Sequence, residues 1–300
     1  MTRLALILMM VAGVGMPSQL LAEDVFRRMT SSDDLTENAD YLVGVVMQSP
    51  HSGPWVLYIL SSKSFKTHLT AVETAFREAP ETLEAPEGNC VWRIVRCGGD
   101  IALRSAAGQY ISNPKGSDLS LTASPSFWTP QDEATTISLQ NTATGKYLGG
   151  GHLSRSPYTR YFGAYAEGPL CLYKREQAPE SLTAYERFWE ADGCETLCLP
   201  FACTVPQPFT AYAVGEGSGD QPTYTPTTSL GAGQPAVIKG PKGLLFRVEA
   251  VGPPAAAPQP TYLTGTFRPL RLNQGRVLTD QGFEPVAEGC FLPAFRAYLK

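Results

Sequence analysis

The chain has 300 residues, enough for two hydrophobic cores, and its 24 Lys and Arg stand against 28 Asp and Glu. A mild acidic excess argues against a nucleic-acid partner, which would need a basic face. Only 17% of residues are charged, while 28 Gly and 25 Pro punctuate short apolar runs rich in Thr, Tyr, Val and Leu. This composition predicts an all-β protein built as barrels or sandwiches.

The N-terminus reads as a secretory signal peptide over residues 1–22. Arg3 supplies the positive charge, Leu4 to Met16 are apolar or small, Pro17 breaks the run, and Ala22 precedes Glu23. The run is too short for a mature membrane span, and charged or proline residues interrupt every later apolar segment, so no transmembrane anchor is expected. Export predicts a periplasmic, outer-surface or extracellular location. The seven cysteines, Cys90, Cys97, Cys171, Cys194, Cys198, Cys203 and Cys290, would then meet an oxidising compartment, where pairing is the default. Their odd number leaves at least one unpaired.

Residues 23–176 carry an internal repeat. Trp92 leads nine residues later to Ile101-Ala-Leu103 and then to Gly108-Gln-Tyr110-Ile111. Trp128 leads, again after nine, to Ile137-Ser-Leu139 and then to Gly145-Lys-Tyr147-Leu148. Each unit reads as strand, turn, strand, glycine turn and strand, with Ile-x-Leu placing two apolar side chains on one face. The glycine is expected to supply a left-handed turn that returns the tyrosine to the core. On this reading Tyr110 and Tyr147 are equivalent and largely buried. Tyr41 to Val46 with Trp55 to Leu60 read as a fainter first unit, and Gly168 to Tyr173 as a closing strand. Three such units suit a closed, β-trefoil-like barrel. Phe65 to Glu84 reads as helix by its apolar spacing or as strand by its Thr-rich flanks.

A polar, proline-containing break at Gln177 to Leu182 opens a second domain, 177–300. Thr196–Phe201, Phe209–Val214, Pro235–Lys239, Gly243–Val248, Tyr262–Phe267 and Phe291–Leu299 read as strands, which suits a β-sandwich.

Several of these segments resemble modules of secreted proteins from Bacteroidota-type bacteria. Asp33-Asp-Leu, Tyr41-Leu-Val, the Gly-x-Tyr-Leu unit, Arg160-Tyr-Phe-Gly-Ala-Tyr165 and Leu170-Cys-Leu-Tyr173 are similar to one module. Glu195 to Phe201, Ala232 to Gly240, Leu263 to Thr266, Gly282 to Pro285 and Arg296 to Leu299 are similar to a second. The resemblance implies an exported surface or periplasmic β protein and supplies no catalytic residues to carry over.

Chemistry-bearing motifs are few. His51, His68 and His152 lie in Ser-, Gly- or Thr-rich segments, without a nucleophile elbow or a papain-like cysteine context. The spacing of Cys194, Cys198 and Cys203 matches no zinc knuckle. No cofactor or metal is expected. The run from Arg155 to Tyr165 is the richest feature, because exposed tyrosines beside arginine stack on sugar rings or anchor a protein partner. Arg155, Tyr158, Arg160, Tyr161 and Tyr165 are the candidate binding residues. The competing reading is a strand whose alternate aromatics fill the barrel. The expected function is a non-enzymatic, exported binding or adhesion protein with a glycan or protein ligand. The alternatives are an accessory structural component of the envelope and a hydrolase with an unfamiliar site.

Overall fold

The computed structural model describes residues 25–49, 53–152, 160–178, 181–217 and 222–300. The protein is all-β: among the described residues the only helical turns are the short 3-10 segments Ser32–Asp34 and Gly88–Cys90. No helix among them is long and apolar enough to cross a membrane. The expected signal peptide, residues 1–22, lies outside the described residues.

The first half contains β1 (Val25–Arg28), β2 (Asp40–Gln48), β3 (Trp55–Phe65), β4 (His68–Glu73), β5 (Thr82–Glu84), β6 (Trp92–Cys97) and β7 (Asp100–Ser105). It continues with β8 (Tyr110–Ser112), β9 (Ser120–Thr122), β10 (Trp128–Asp132), β11 (Ile137–Asn141), β12 (Tyr147–His152), β13 (Arg160–Tyr165) and β14 (Pro169–Arg175). Their hydrogen-bonded ladder returns to its start. β2 pairs with β6, β6 with β7 and β7 with β10. β10 pairs with β11, β11 with β14, and β14 with β2. The hairpins β3–β4, β8–β9 and β12–β13 extend from this ring. Thr-rich residues 65–84, open to either reading in the sequence, form β4 and β5, with Leu69 turned into the core.

The repeat is visible as geometry. Trp92 and Trp128 open β6 and β10 and are fully buried. Ile101, Leu103, Ile137 and Leu139 enter the same core. Gly108 and Gly145 both adopt positive φ, +82° and +67°, as the turn requires of a residue without Cβ. The tyrosines, however, are not equivalent. Alternation along the strand sends Ile111 and Leu148 to the core and each tyrosine to the opposite face. Tyr110 is buried there because Phe188 meets it edge-on at 6.1 Å. Tyr147 is half-buried, its hydroxyl 3.2 Å from Gln131 Oε1.

The second half contributes β15 (Ala184–Phe188), β16 (Gly193–Cys198), β17 (Cys203–Thr204), β18 (Thr210–Gly215), β19 (Thr223–Thr227), β20 (Ser229–Leu230), β21 (Pro235–Gly240) and β22 (Leu245–Glu249). Three nested two-stranded pairs complete it: β23 (Thr264–Thr266) with β28 (Arg296–Tyr298), β24 (Leu270–Leu272) with β27 (Cys290–Leu292), and the innermost hairpin β25 (Arg276–Thr279) with β26 (Gly282–Pro285). A sheet in the order β16-β21-β18-β19 packs Val214 and Val237 against Leu263, Ala297 and Leu299. A separate aromatic core gathers Trp189, Phe201, Phe209, Phe246 and Phe295.

A buried ionic cluster joins the halves. Glu37 accepts hydrogen bonds from Arg187 Nη1 and the Tyr185 hydroxyl, both at 2.8 Å, and lies 3.2 Å from Arg296 Nη2. Glu195 adds a second carboxylate, 2.7 Å from Arg187 Nε. Burial alone would raise the Glu37 pKa, but Arg296 and Arg187 outweigh it and hold the carboxyl below its ordinary range. β15 also pairs with β6 in parallel, through Arg187 and Arg96.

All seven cysteines are unpaired thiols, contrary to the expected pairing. Strand geometry is the reason for the near neighbours. From Trp92 to Cys97 the extended chain alone covers roughly 16 Å, which carries Cys97 far from Cys90. Cys194 and Cys198 lie on one strand, roughly 13 Å apart at the same rise per residue. A disulfide needs Cα atoms within about 7 Å. Burial raises the pKa of Cys90 and Cys203 to about 11 and that of Cys198 to about 12, so these thiols stay protonated.

Candidate ligand-binding site

Of the five candidate binding residues, Arg155 and Tyr158 lie outside the described residues. Arg160, Tyr161 and Tyr165 belong to β13, where alternation decides what each can do. Phe162 and Ala164 point into the main core of the first half and are buried. Tyr161 and Tyr165 take the other face, both half-buried.

Neither tyrosine is a free platform. Tyr161 stacks on His68 with ring centroids 4.1 Å apart and planes 3° from parallel. Tyr165 lies across the glycine run of β12. A Cβ on Gly151 would overlap its hydroxyl, and one on Gly149 would come within 3.3 Å of its ring. On the other side of that run, a Cβ on Gly150 would overlap Met47 Sδ and approach Val45 Cγ1 to 2.7 Å. The three glycines therefore allow β12 to sit between Tyr165 and β2. The Tyr165 hydroxyl is buried, which raises its pKa, and neighbouring Tyr161 adds to the shift.

Arg160 leads to a residue that sequence reasoning missed. Its Nη2 donates to the carbonyl of Gln48 at the end of β2. The cross-strand partner of Gln48 is Trp55, the first residue of β3. Trp55 is 60% exposed, whereas Trp92, Trp128 and Trp189 are at most 1% exposed. The same end of the β3–β4 hairpin holds Tyr58, whose hydroxyl donates to Glu73 Oε2 at 3.0 Å. Burial raises the Tyr58 pKa first and Glu73 adds to it, while Ser49 and Arg160 act in the opposite sense. Trp55, Gln48, Arg160 and Glu73 thus put an indole, an amide, a guanidinium and a carboxylate at one end of the fold.

The sequence signal for Trp55 is its position. It follows Pro54 at a strand's first residue, where alternation imposes no burial. Among the described residues no group of three or more His, Cys, Asp or Glu side chains is arranged to hold a metal ion. Comparison with protein-family models finds no match, and comparison with curated proteins finds none either.

Proposed function

We propose that the chain is an exported binding protein of a bacterial envelope or surface, and that it takes a glycan or protein ligand at the Trp55–Arg160 end of its first domain. On this reading residues 23–176 form a closed six-stranded barrel of the β-trefoil kind, and residues 177–300 a β-sandwich. The pairing ring β2-β6-β7-β10-β11-β14 with three projecting hairpins supports the first assignment. Sheet β16-β21-β18-β19, facing the β23–β28 pair and the β25–β26 hairpin, supports the second. Export rests on the charge, apolar run and small residue of 1–22. The bacterial assignment rests on the motif resemblance alone.

Exposure of Trp55 carries the functional reading. A large apolar side chain left in water forgoes roughly 2 kcal/mol of burial free energy. Tryptophan and arginine are also the residues that dominate binding energy where a partner covers them. At the same strand end, on the Tyr58 face that alternation sets opposite Trp55, Arg160 and Glu73 offer a polar ligand a donor and an acceptor.

The test is an array of bacterial and host glycans and proteins probed with residues 23–300. The expected result is saturable binding to one ligand class. Stable association with envelope proteins alone, without any saturable ligand, would replace this reading with that of a structural component.

A further inference from the structure

A second concave surface lies wholly in the C-terminal half, far along the chain from Trp55. One face of sheet β16-β21-β18-β19 presents Cys194, Lys239 and Thr210 in one cross-strand row and Tyr212 in the next. Tyr224, on β19, is opposite Val214 on that face. The second layer covers only part of it, over Val214 and Val237. Between the uncovered part and the β25–β26 hairpin runs an open groove of about 1070 Å³, which Thr279 and Asp280 wall on the far side. Asp192 lines the near end.

Four features of this groove restrict its ligand. Tyr224 is 44% exposed and meets Tyr212 edge-on at 6.4 Å, so its ring is packed against a neighbour and still presents open aromatic surface. The charged groups are Asp192, Asp280 and Lys239, with Asp192 Oδ1 already accepting from the Lys242 backbone N–H at 2.8 Å. Two carboxylates disfavour an anion, and a lysine in the central row of the floor disfavours a cation. Thr210 and Thr279 add hydroxyls that both donate and accept. The volume is at the upper end of small-molecule sites, about 300–1,000 Å³, and the groove is open along its length.

We propose that this groove binds a neutral oligosaccharide, with one sugar stacked on Tyr224 and its hydroxyls shared among Asp280, Lys239 and the two threonines. A sugar ring has an apolar face for the tyrosine and hydroxyls that satisfy carboxylate and ammonium alike. The groove is partly desolvated already. Burial raises the Tyr224 pKa, with Cys194 and Tyr262 adding to it, and burial raises the Cys194 pKa against the opposing charge of Lys239.

Cys194 is the one exposed cysteine of the seven and reports on occupancy. Residues 23–300 would be alkylated with iodoacetamide, and modification of Cys194 followed by peptide mass spectrometry. The added probes would be neutral trisaccharides of glucose, galactose, mannose and N-acetylglucosamine, with sialyllactose and trilysine as charged comparators. At least one neutral trisaccharide should slow Cys194 modification severalfold and bind measurably by calorimetry. Tyr224→Ala and, separately, Asp280→Asn should weaken that binding tenfold or more, about 1.4 kcal/mol, with unchanged circular dichroism. Trp55→Ala should leave it unaltered, which separates this site from the barrel-end reading. Protection by no neutral trisaccharide at about 10 mM, a concentration that detects even weak Kd values, would overturn the proposal. So would protection by sialyllactose or trilysine alone, or protection that persists in both groove variants.

Discussion

Replacing Glu37 with Gln should uncouple the two halves of the molecule. The wild-type cluster holds two guanidinium groups, Arg187 and Arg296, against two carboxylates, Glu37 and Glu195. The Glu37 side chain is 1% exposed and its substitution by glutamine preserves shape while removing one charge. Both arginines must then share Glu195, which is 24% exposed and stands 3.5 Å from Arg296 Nη2. One buried positive charge is left without a partner, an arrangement that costs about 3–5 kcal/mol. Urea unfolding followed by tryptophan fluorescence and circular dichroism measures the loss. Adding Arg296→Met to Glu37→Gln removes the orphaned charge, so the pair should be less destabilising than the sum of the single changes, by about 1–3 kcal/mol. Acid provides an independent check. The folded Glu37 pKa lies below its unfolded value, so its stabilisation is complete above the unfolded carboxyl range, about pH 4.3, and is lost as pH falls through the lower folded pKa. Glu37→Gln should flatten that part of the acid-unfolding curve. A loss under about 1 kcal/mol, set against the 3–5 expected for breaking a buried pair, would refute the reasoning. Strict additivity with Arg296→Met would do the same.

Other perturbations test other parts of the fold. Tyr110→Ala, in the buried contact with Phe188, should cost about 3 kcal/mol, whereas half-buried Tyr147→Ala should cost about 1, read as urea midpoints; equal losses would restore the symmetric repeat. Gly150→Ala should destabilise by about 1–3 kcal/mol, because the added methyl meets Met47 and Val45, and an unchanged melting temperature would show that β12 can move away. Ellman titration should find seven thiols in denaturant and, in the native protein, Cys194 reacting first while Cys90, Cys198 and Cys203 stay silent. Fewer than seven in denaturant without reductant would mean that disulfides form.

The parts of the fold legible in the sequence are those that local chemistry determines. Trp92 and Trp128, the Ile-x-Leu pairs and the two turn glycines repeat because each unit solves the same packing problem with the same short-range pattern. The parts that were not legible depend on distant segments. Tyr110 differs from Tyr147 only because Phe188 arrives from the second half. Glu37 reads as one more surface acid until Arg187, 150 residues on, closes over it. Period-two alternation allows β13 to bury either parity, and Tyr161 reads as an open ring because nothing in its neighbourhood in sequence announces His68. Trp55 heads a run that reads as a core strand, and only its place after Pro54, where alternation imposes no burial, hints at its exposure. The groove beside Tyr224 is assembled from β16, β18, β19, β21 and the later β25–β26 hairpin, so no single segment carries its signature.

The central claim is ligand binding at the Trp55–Arg160 end of the first half of the chain. The most direct measurement titrates the strongest array ligand against residues 23–300 and against the Trp55→Ala/Arg160→Ala variant, with thermal unfolding of both proteins in parallel. Trp55 is exposed and Arg160 half-buried, so the variant should melt within a few degrees of wild type. Its affinity should fall at least a hundredfold, about 2.7 kcal/mol, as expected when a tryptophan and an arginine anchor are both removed. Unchanged affinity in a folded variant would contradict the assignment, and affinity lost only in step with the melting temperature would return these residues to architecture.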